Sequence, residues 1–275
     1  YSDNTGPILM SAWDPALGDF VDLGTLPTEE VLWFRPGLGT LYTPAIDPDG
    51  HEEAGGIYRL DCGSDQWHVG AVIDGAVHVY DVARQDQTIY VGTGSLTGAP
   101  GLLVSSTDHG ESWTEVLRHD SPAGRFSRIY FVGATSQRLF ASGSEHRDPE
   151  LSFAGVREGN GDFVPLVDPP AGSLVPIVLG SELVVAAFSS NPGRGSYLAG
   201  YRVEGDAFVP HEPWPATVEG ETLVAWAPVP ADDSHPERLL ALTRAPDGTA
   251  RVHRTADLAA GSDGWELLIE LAALA

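Results

Sequence analysis

The 275 residues hold 15 basic and 39 acidic side chains, a formal charge of −24, and every one of the basic residues is arginine. Such a charge excludes nucleic acid and inserts poorly with the idea of an anionic membrane surface as partner. Hydrophobic residues make up 42% of the chain, seven of them Trp, which is enough to build a core and rules out a disordered polymer. The 32 Gly and 21 Pro are more turn-formers than a helical protein of this length accommodates, so the composition predicts many short strands joined by tight turns. Cys62, the single cysteine, leaves no intramolecular disulfide framework and is expected to be a small buried apolar residue. The longest apolar runs, such as Leu183 to Phe188, are far too short for a membrane span, so no membrane insertion is expected. The chain opens at Tyr1 without a charged-then-apolar leader, which fits a trimmed, exported product; a secreted or cell-surface location is the expectation.

In chain order, the first elements are two short strands, Ile8 to Ser11 and Phe20 to Asp22. Five units follow. Apolar strands begin at Leu41, Ile89, Leu139, Leu183 and Leu239, at separations of 48, 50, 44 and 56 residues. Each is preceded by another apolar strand: Val31 to Phe34, Val77 to Tyr80, Ile129 to Val132, Leu174 to Leu179 and Leu223 to Trp226. Each is followed by a Gly/Pro-rich or acidic loop and a third strand near Ile57, Leu102, Phe153, Tyr197 and Val252. A fourth opens on an aromatic: Trp67, Trp113, Phe163, Phe208 and Trp265.

Four antiparallel strands at this period fit radial repetition better than a two-sheet sandwich. The fold class expected is therefore all-β, a β-propeller of four-stranded antiparallel blades in one domain, 1–275. The units run 1–24 (partial), 25–74, 75–120, 121–168, 169–213 and 214–275. With strands named A to D from the inside outward, the chain has five complete units and an N-terminal C–D hairpin. The blade count is then six, with an incomplete first blade completed by residues upstream of Tyr1. Two other closures are five blades with an appended hairpin, or strands contributed by a second chain, which predicts self-association.

Ser106, Asp108, Gly110 and Trp113 fit S-x-D-x-G-x-x-W between the third and fourth strands of one unit. Ser and Asp oxygens suit backbone N–H groups in a tight turn, Gly suits a positive φ, and Trp packs on the hairpin. Degenerate copies stand at equivalent places, with Thr255, Asp257 and Trp265 in the last unit and Asp61, Gly63 and Trp67 in an earlier one. This pattern resembles the Asp-box of the sialidase-like (BNR-repeat) propeller superfamily. The resemblance implies a propeller fold and a structural turn away from any substrate face, so Asp108 and His109 are not read as catalytic. Relatives in that superfamily include sialidases, other glycoside hydrolases, sorting receptors and adhesion proteins.

A sialidase would show an arginine triad, a Tyr with a Glu partner and an Asp acid/base. The string Phe34, Arg35, Pro36 is the nearest match to the family's first arginine, without its Ile, and Arg147, Arg194 and Arg244 lie in B-to-C loops expected to share a face with Arg35. Arg35, His51, Arg147 and Arg194 are the candidate ligand-binding residues. The chain has no G-x-S-x-G elbow, and consecutive His119, Asp120 and Ser121 cannot form a triad. With 39 acidic residues, a carboxylate pair discriminates nothing. The run Asp47 to Glu53 resembles the opening of a calcium loop with Asp47, Asp49 and Glu52 as ligands, but lacks the closing Glu. Trp33, Tyr80 and Trp226 on A strands are expected to pack between blades rather than stack on sugars. The expected function is an extracellular, non-catalytic scaffold that recognises a glycan or a protein partner. A sialidase-type glycoside hydrolase and a self-assembling surface protein are the two alternatives.

Overall fold

The structure, a computed structural model, describes residues 7–14, 16–31, 33–37, 39–48, 54–74, 76, 78–94, 100–121, 125–145, 152–190, 196–212, 221–229, 231 and 234–271. It is all-β: among the described residues the one helical element is a short 3-10 turn, Gly261–Gly264. Among the described residues no helix is long and apolar enough to cross a membrane. The chain divides into two compact units, Tyr1–Val132 with Glu145–Arg147, and Gly133–Ser144 with Asp148–Ala275.

The first unit opens with the hairpin β1 (Ile8–Asp14) and β2 (Asp19–Leu26), paired from Ile8↔Leu26 to Asp14↔Asp19. Alternation along both strands sends Met10 and Leu26 into a cluster with Ala45 and Tyr58. The opposite face leaves Leu9, Trp13 and Phe20 exposed, with Trp13 and Phe20 edge to face at 5.3 Å.

The strand expected at Val31 to Phe34 is corrected by the structure. Two short strands, β3 (Thr28–Val31) and β4 (Arg35–Gly37), both pair with β5 (Thr40–Pro48), and residues 33 and 34 leave the ladder between them. The cause is aromatic packing: Trp33 turns to the Phe131 ring at 6.1 Å and Phe34 to the Trp67 ring at 6.1 Å. Next come β6 (Ala54–Asp61) and β7 (His68–Asp74), and then the meander β8 (His78–Gln85), β9 (Thr88–Gly94), β10 (Gly101–Ser106) and β11 (Thr114–His119). β12 (Ser127–Ala134) follows, its residues to Val132 belonging to this unit. Single backbone pairings, Ile46↔His78 and Arg128↔Gly94, join the second strand of one group to the first strand of the next. Tyr42 and Ile57 from one group meet Val79, Val82, Val91 and Val104 from the next.

In the second unit β13 (Arg138–Glu145), β14 (Ser152–Glu158) and the two-residue β15 (Val164–Pro165) pair in sequence. Two complete four-stranded sheets follow. One is β16 (Ser173–Leu179), β17 (Glu182–Phe188), β18 (Tyr197–Glu204) and β19 (Ala207–Pro210); the other is β20 (Thr222–Val229), β21 (Arg238–Arg244), β22 (Ala250–Thr255) and β23 (Glu266–Leu271). Phe140, Leu174, Leu183, Val185 and Val203 form the core between β13, β14 and the first of these sheets.

Burial falls from the inner strands to the outer ones. β9, β13 and β17 are buried along nearly their whole length, as continuous apolar runs must be when covered on both faces, whereas β23 is exposed throughout. Each aromatic expected to open a fourth strand lies at the start of one or immediately before it. Cys62 departs from expectation: it is exposed, because it sits in the turn after β6, where its N–H donates to the Gly39 carbonyl at 2.6 Å.

Two turn glycines differ sharply in what surrounds them. At Gly172, φ is +114° and a Cβ would lie 2.2 Å from the Phe188 carbonyl oxygen; at Gly205, φ is +65° and the space is open. Gly172→Ala should therefore cost at least about 3 kcal/mol of unfolding free energy. Gly205→Ala should cost roughly 1 kcal/mol from backbone strain alone. Urea titration of the two variants checks the contrast; equal midpoints would mean that the Gly172 turn rearranges freely.

Candidate functional site

The motif turn, Ser106 to Trp113, is a closed hydrogen-bond device. The Ser106 hydroxyl donates to Asp108 Oδ1 at 2.7 Å, while its oxygen accepts the Gly110 N–H at 2.7 Å. Asp108 also accepts the Ser112 N–H at 3.0 Å and the Ser112 hydroxyl at 2.5 Å. These donors hold the Asp108 carboxyl well below its ordinary range, the Ser112 hydroxyl contributing most. Gly110 takes φ +93°, and a Cβ there would lie 2.9 Å from that of Ala71, so it also lets the turn approach β7. In the last unit Thr255 and Asp257 repeat the plan: the Thr255 hydroxyl exchanges hydrogen bonds with the Asp257 backbone, and Asp257 Oδ1 accepts the Ala259 N–H at 2.9 Å. All of this chemistry is spent within the turns.

Arg35, the first candidate ligand contact, is placed against Asp81. Its Nε donates to Asp81 Oδ1 at 2.7 Å and its Nη2 to Oδ2 at 3.0 Å, the two-point pairing that a planar guanidinium favours. Asp81 is fully buried and accepts two further N–H groups, from Val82 at 2.9 Å and Val132 at 2.9 Å. A β-bulge between Val79 and Asp81 turns the carboxylate inward. The fork that a ligand carboxylate would need is thus taken internally.

Sequence reasoning passed over a second arginine in the same unit. Arg128, at the start of β12, is only 8% exposed. Its guanidinium lies 4.5 Å from the Phe126 ring centroid and 5.5 Å from that of Tyr80, and its Nε has no hydrogen-bond partner. No carboxylate pairs with it among the described residues. Tyr80 is packed in turn on Tyr130 at 4.7 Å and beside His78 at 5.6 Å. Gly94 makes the space, since a Cβ there would meet Tyr80 at 2.6 Å and the Arg128 stem at 2.7 Å. Next to this group His119 Nδ1 lies 2.8 Å from the Ser127 hydroxyl, and burial pushes the imidazole pKa down. The available signal was a lone Arg inside an apolar strand, with aromatics two residues to either side.

The second unit carries three polar groups of its own. At the ends of β18 and β19 the Tyr197 hydroxyl donates to Glu212 at 2.7 Å. Burial first, and this bond second, push the phenol pKa far up, which keeps it protonated. At the ends of the last sheet's strands Glu221, its side chain 1% exposed, accepts Arg251 at 2.8 Å and the Thr243 hydroxyl at 3.0 Å, and Arg251 also reaches Glu270 at 2.8 Å. His253 lies beside Thr243, its pKa lowered by burial. A cavity of about 370 Å³ opens near the turns, lined among others by Arg138, Glu182, Leu183, Arg202, Glu204 and Ala259. Much of its polar lining is committed: Arg138 donates to the Val203 carbonyl, Arg202 to the Ala259 carbonyl, and Glu182 accepts the Leu258 N–H. Trp226 stacks on Phe188 at 6.0 Å and 14°.

His51, Arg147 and Arg194 lie outside the described residues, as do Asp49 and Glu52 of the calcium proposal; Asp47 contributes backbone to β5 and its side chain is likewise not described. Among the described residues no group of three or more His, Cys, Asp or Glu side chains is arranged to hold a metal. Arg244 ends β21 with its side chain exposed.

Removing Asp81 should strand the Arg35 charge and orphan two backbone N–H groups, so Asp81→Ala is expected to cost about 3–5 kcal/mol. The double variant Arg35→Met, Asp81→Leu should recover much of that loss in urea unfolding; no recovery would show that the backbone bonds, not the charge pair, carry the effect. For Asp108 the folded carboxyl titrates below its unfolded value near 4, so its contribution is present above that value and is lost as the pH falls through the folded one. Asp108→Asn should accordingly lose less stability than the parent between about pH 5 and pH 2, measured by urea midpoints at each pH.

No protein-family model matches the chain, and no curated protein matches it. Solved structures do. A protein from Lactobacillus plantarum superposes with a TM-score of 0.55 at 16% identity, over 99% of this chain and 80% of that one. The β-propeller domain of the Trilobed protease from Pyrococcus furiosus, described as having an open velcro topology, gives 0.55 at 10% identity over 97% and 73%. An α-L-arabinanase from Penicillium chrysogenum, complexed with arabinobiose, gives 0.50 at 15% identity over 86% and 80%. At these identities the likeness speaks for the fold alone, and together with the sequential antiparallel sheets it makes the chain a β-propeller.

Proposed function

We propose that this β-propeller is a non-catalytic recognition scaffold, exported from the cell, that binds a glycan or a protein partner. The observation that carries the reading is the Arg35–Asp81 pair. The arginine that a sialidase-type cleft would turn towards its substrate has its fork engaged by a buried carboxylate, which fixes the inner strands instead. The Tyr197–Glu212 pair supports the same view: a phenol held protonated by burial is a poor nucleophile, and here it serves as a donor. The motif turn, with its Ser, Asp, Gly and Trp in their roles, supports placing the chain with the Asp-box propellers. The polar strand ends, fixed by ion pairs, make a rigid surface, and rigidity lowers the entropy cost of binding. Calcium at residues 47–52 and self-association through the exposed face of β1–β2 belong to the same proposal.

The test pairs a printed glycan array with turnover of fluorogenic sialosides and arabinosides, with light scattering of the same sample for its mass. Saturable binding to one glycan class or to a protein bait, without turnover, is the expected result. Turnover that disappears in Tyr197→Phe would overturn the scaffold reading in favour of a hydrolase.

A further inference from the structure

We infer that Arg128 is the contact point for a single oxyanion — a carboxylate, or a sulfate or phosphate ester — carried by the partner that the scaffold recognises; this rests on the recognition reading above. A guanidinium this deeply buried ordinarily has a carboxylate beside it, because removing a charge from water without a partner is costly. Two other inward-lying arginines obey that rule: Arg35 pairs with Asp81, and Arg251 with Glu221 and Glu270. Arg128 does not. It is 8% exposed, its Nε has no hydrogen-bond partner, and what flanks it is the faces of Phe126 and Tyr80.

The rings explain how the charge is tolerated in the absence of a partner, since their faces attract a cation. They accept none of its N–H donors. What remains is a preoriented planar donor fork in a water-poor setting, where a charge-assisted bond to an oxyanion is strongest. Gly94 shows that the cage is built for this arrangement, because any larger residue there would strike both Tyr80 and the Arg128 stem. The backbone pairing Arg128↔Gly94 puts the residue at the end of β9 and at the second position of β12.

The chain's net charge of −24 repels anions at long range, so this site cannot work by steering. Added NaCl should leave its affinity level or raise it, opposite to a basic surface.

The experiment titrates the full chain with glucuronate, sulfate and inorganic phosphate, each read by the Arg128 Nε–H resonance and by the melting temperature. At least one oxyanion is expected to shift the resonance and raise the melting temperature below roughly 20 mM. Arg128→Leu, which keeps an apolar side chain against the rings, should lose both responses and melt no lower than the parent without anion. Arg128→Lys should bind at least about tenfold more weakly, since a point charge replaces the fork. A response to glucuronate alone assigns a carboxylate; a response to sulfate or phosphate assigns an ester. No shift with any of the three in the parent chain, or equal binding by the Leu variant, overturns the site. Failure here leaves the scaffold reading standing if the array still shows binding, whereas glycoside turnover would remove that reading and leave the anion titration untouched.

Discussion

A single carboxylate organises the inner part of the first unit. Asp81 on β8 receives the Arg35 fork from β4, the next N–H along its own strand, and the Val132 N–H from β12. It therefore ties together the inner strands of three successive repeat groups. Apolar packing alone would allow these strands to slide, because Val, Ile and Leu fill space without fixing direction. A buried carboxylate with four donors has one satisfactory placement, and displacing it leaves a naked charge. The cost of desolvating the pair is offset only while all four bonds are made, which makes the arrangement all-or-none.

The turns supply a second constraint, on other strands. Where the Ser–Asp–Gly–Trp pattern is intact, side-chain oxygens take the place of backbone carbonyls in satisfying the turn, and Gly110 permits both a positive φ and a close approach to β7. The degenerate copy at Thr255 and Asp257 retains the oxygen-to-backbone logic with other residues. The motif turns fix the β10–β11 and β22–β23 hairpins, whereas the inner ion pair fixes β4, β8 and β12, so register is held separately on different strands.

This division of labour bears on function. Side chains that a catalytic reading would enlist, Arg35 and Tyr197, are engaged with Asp81 and Glu212, each within its own unit. Arg128 stands apart because its compensation is aromatic instead of anionic. A binding surface can exploit such a residue without moving it, and a rigid β scaffold offers little other means of selectivity than what its fixed groups present.

The repeat was legible in the residues: period, strand order, the aromatic opening each fourth strand and the turn motif all follow from local sequence, because alternation, turn chemistry and β-propensity are properties of neighbouring residues. Less was legible where a side chain's partner lies far along the chain. Asp81 within HVYDVA and Arg128 within SRIYFVGA are each one charge in an apolar run, and the local sequence does not say what distant group each will meet. One is met by an arginine 46 residues away and the other by no carboxylate among the described residues. The strand broken at Trp33 and Phe34, and the exposed Cys62, have the same origin: rings from other strands drew the chain out of its ladder, and a turn put the thiol outside. The amino-acid order by itself determined that the chain folds as repeated antiparallel strands, since hydrogen-bonded strands and turns are chosen over a few residues. Only the tertiary structure decided which charges are met inside by a carboxylate and which by aromatic rings, because that depends on what distant strands bring within about 3 Å of one another.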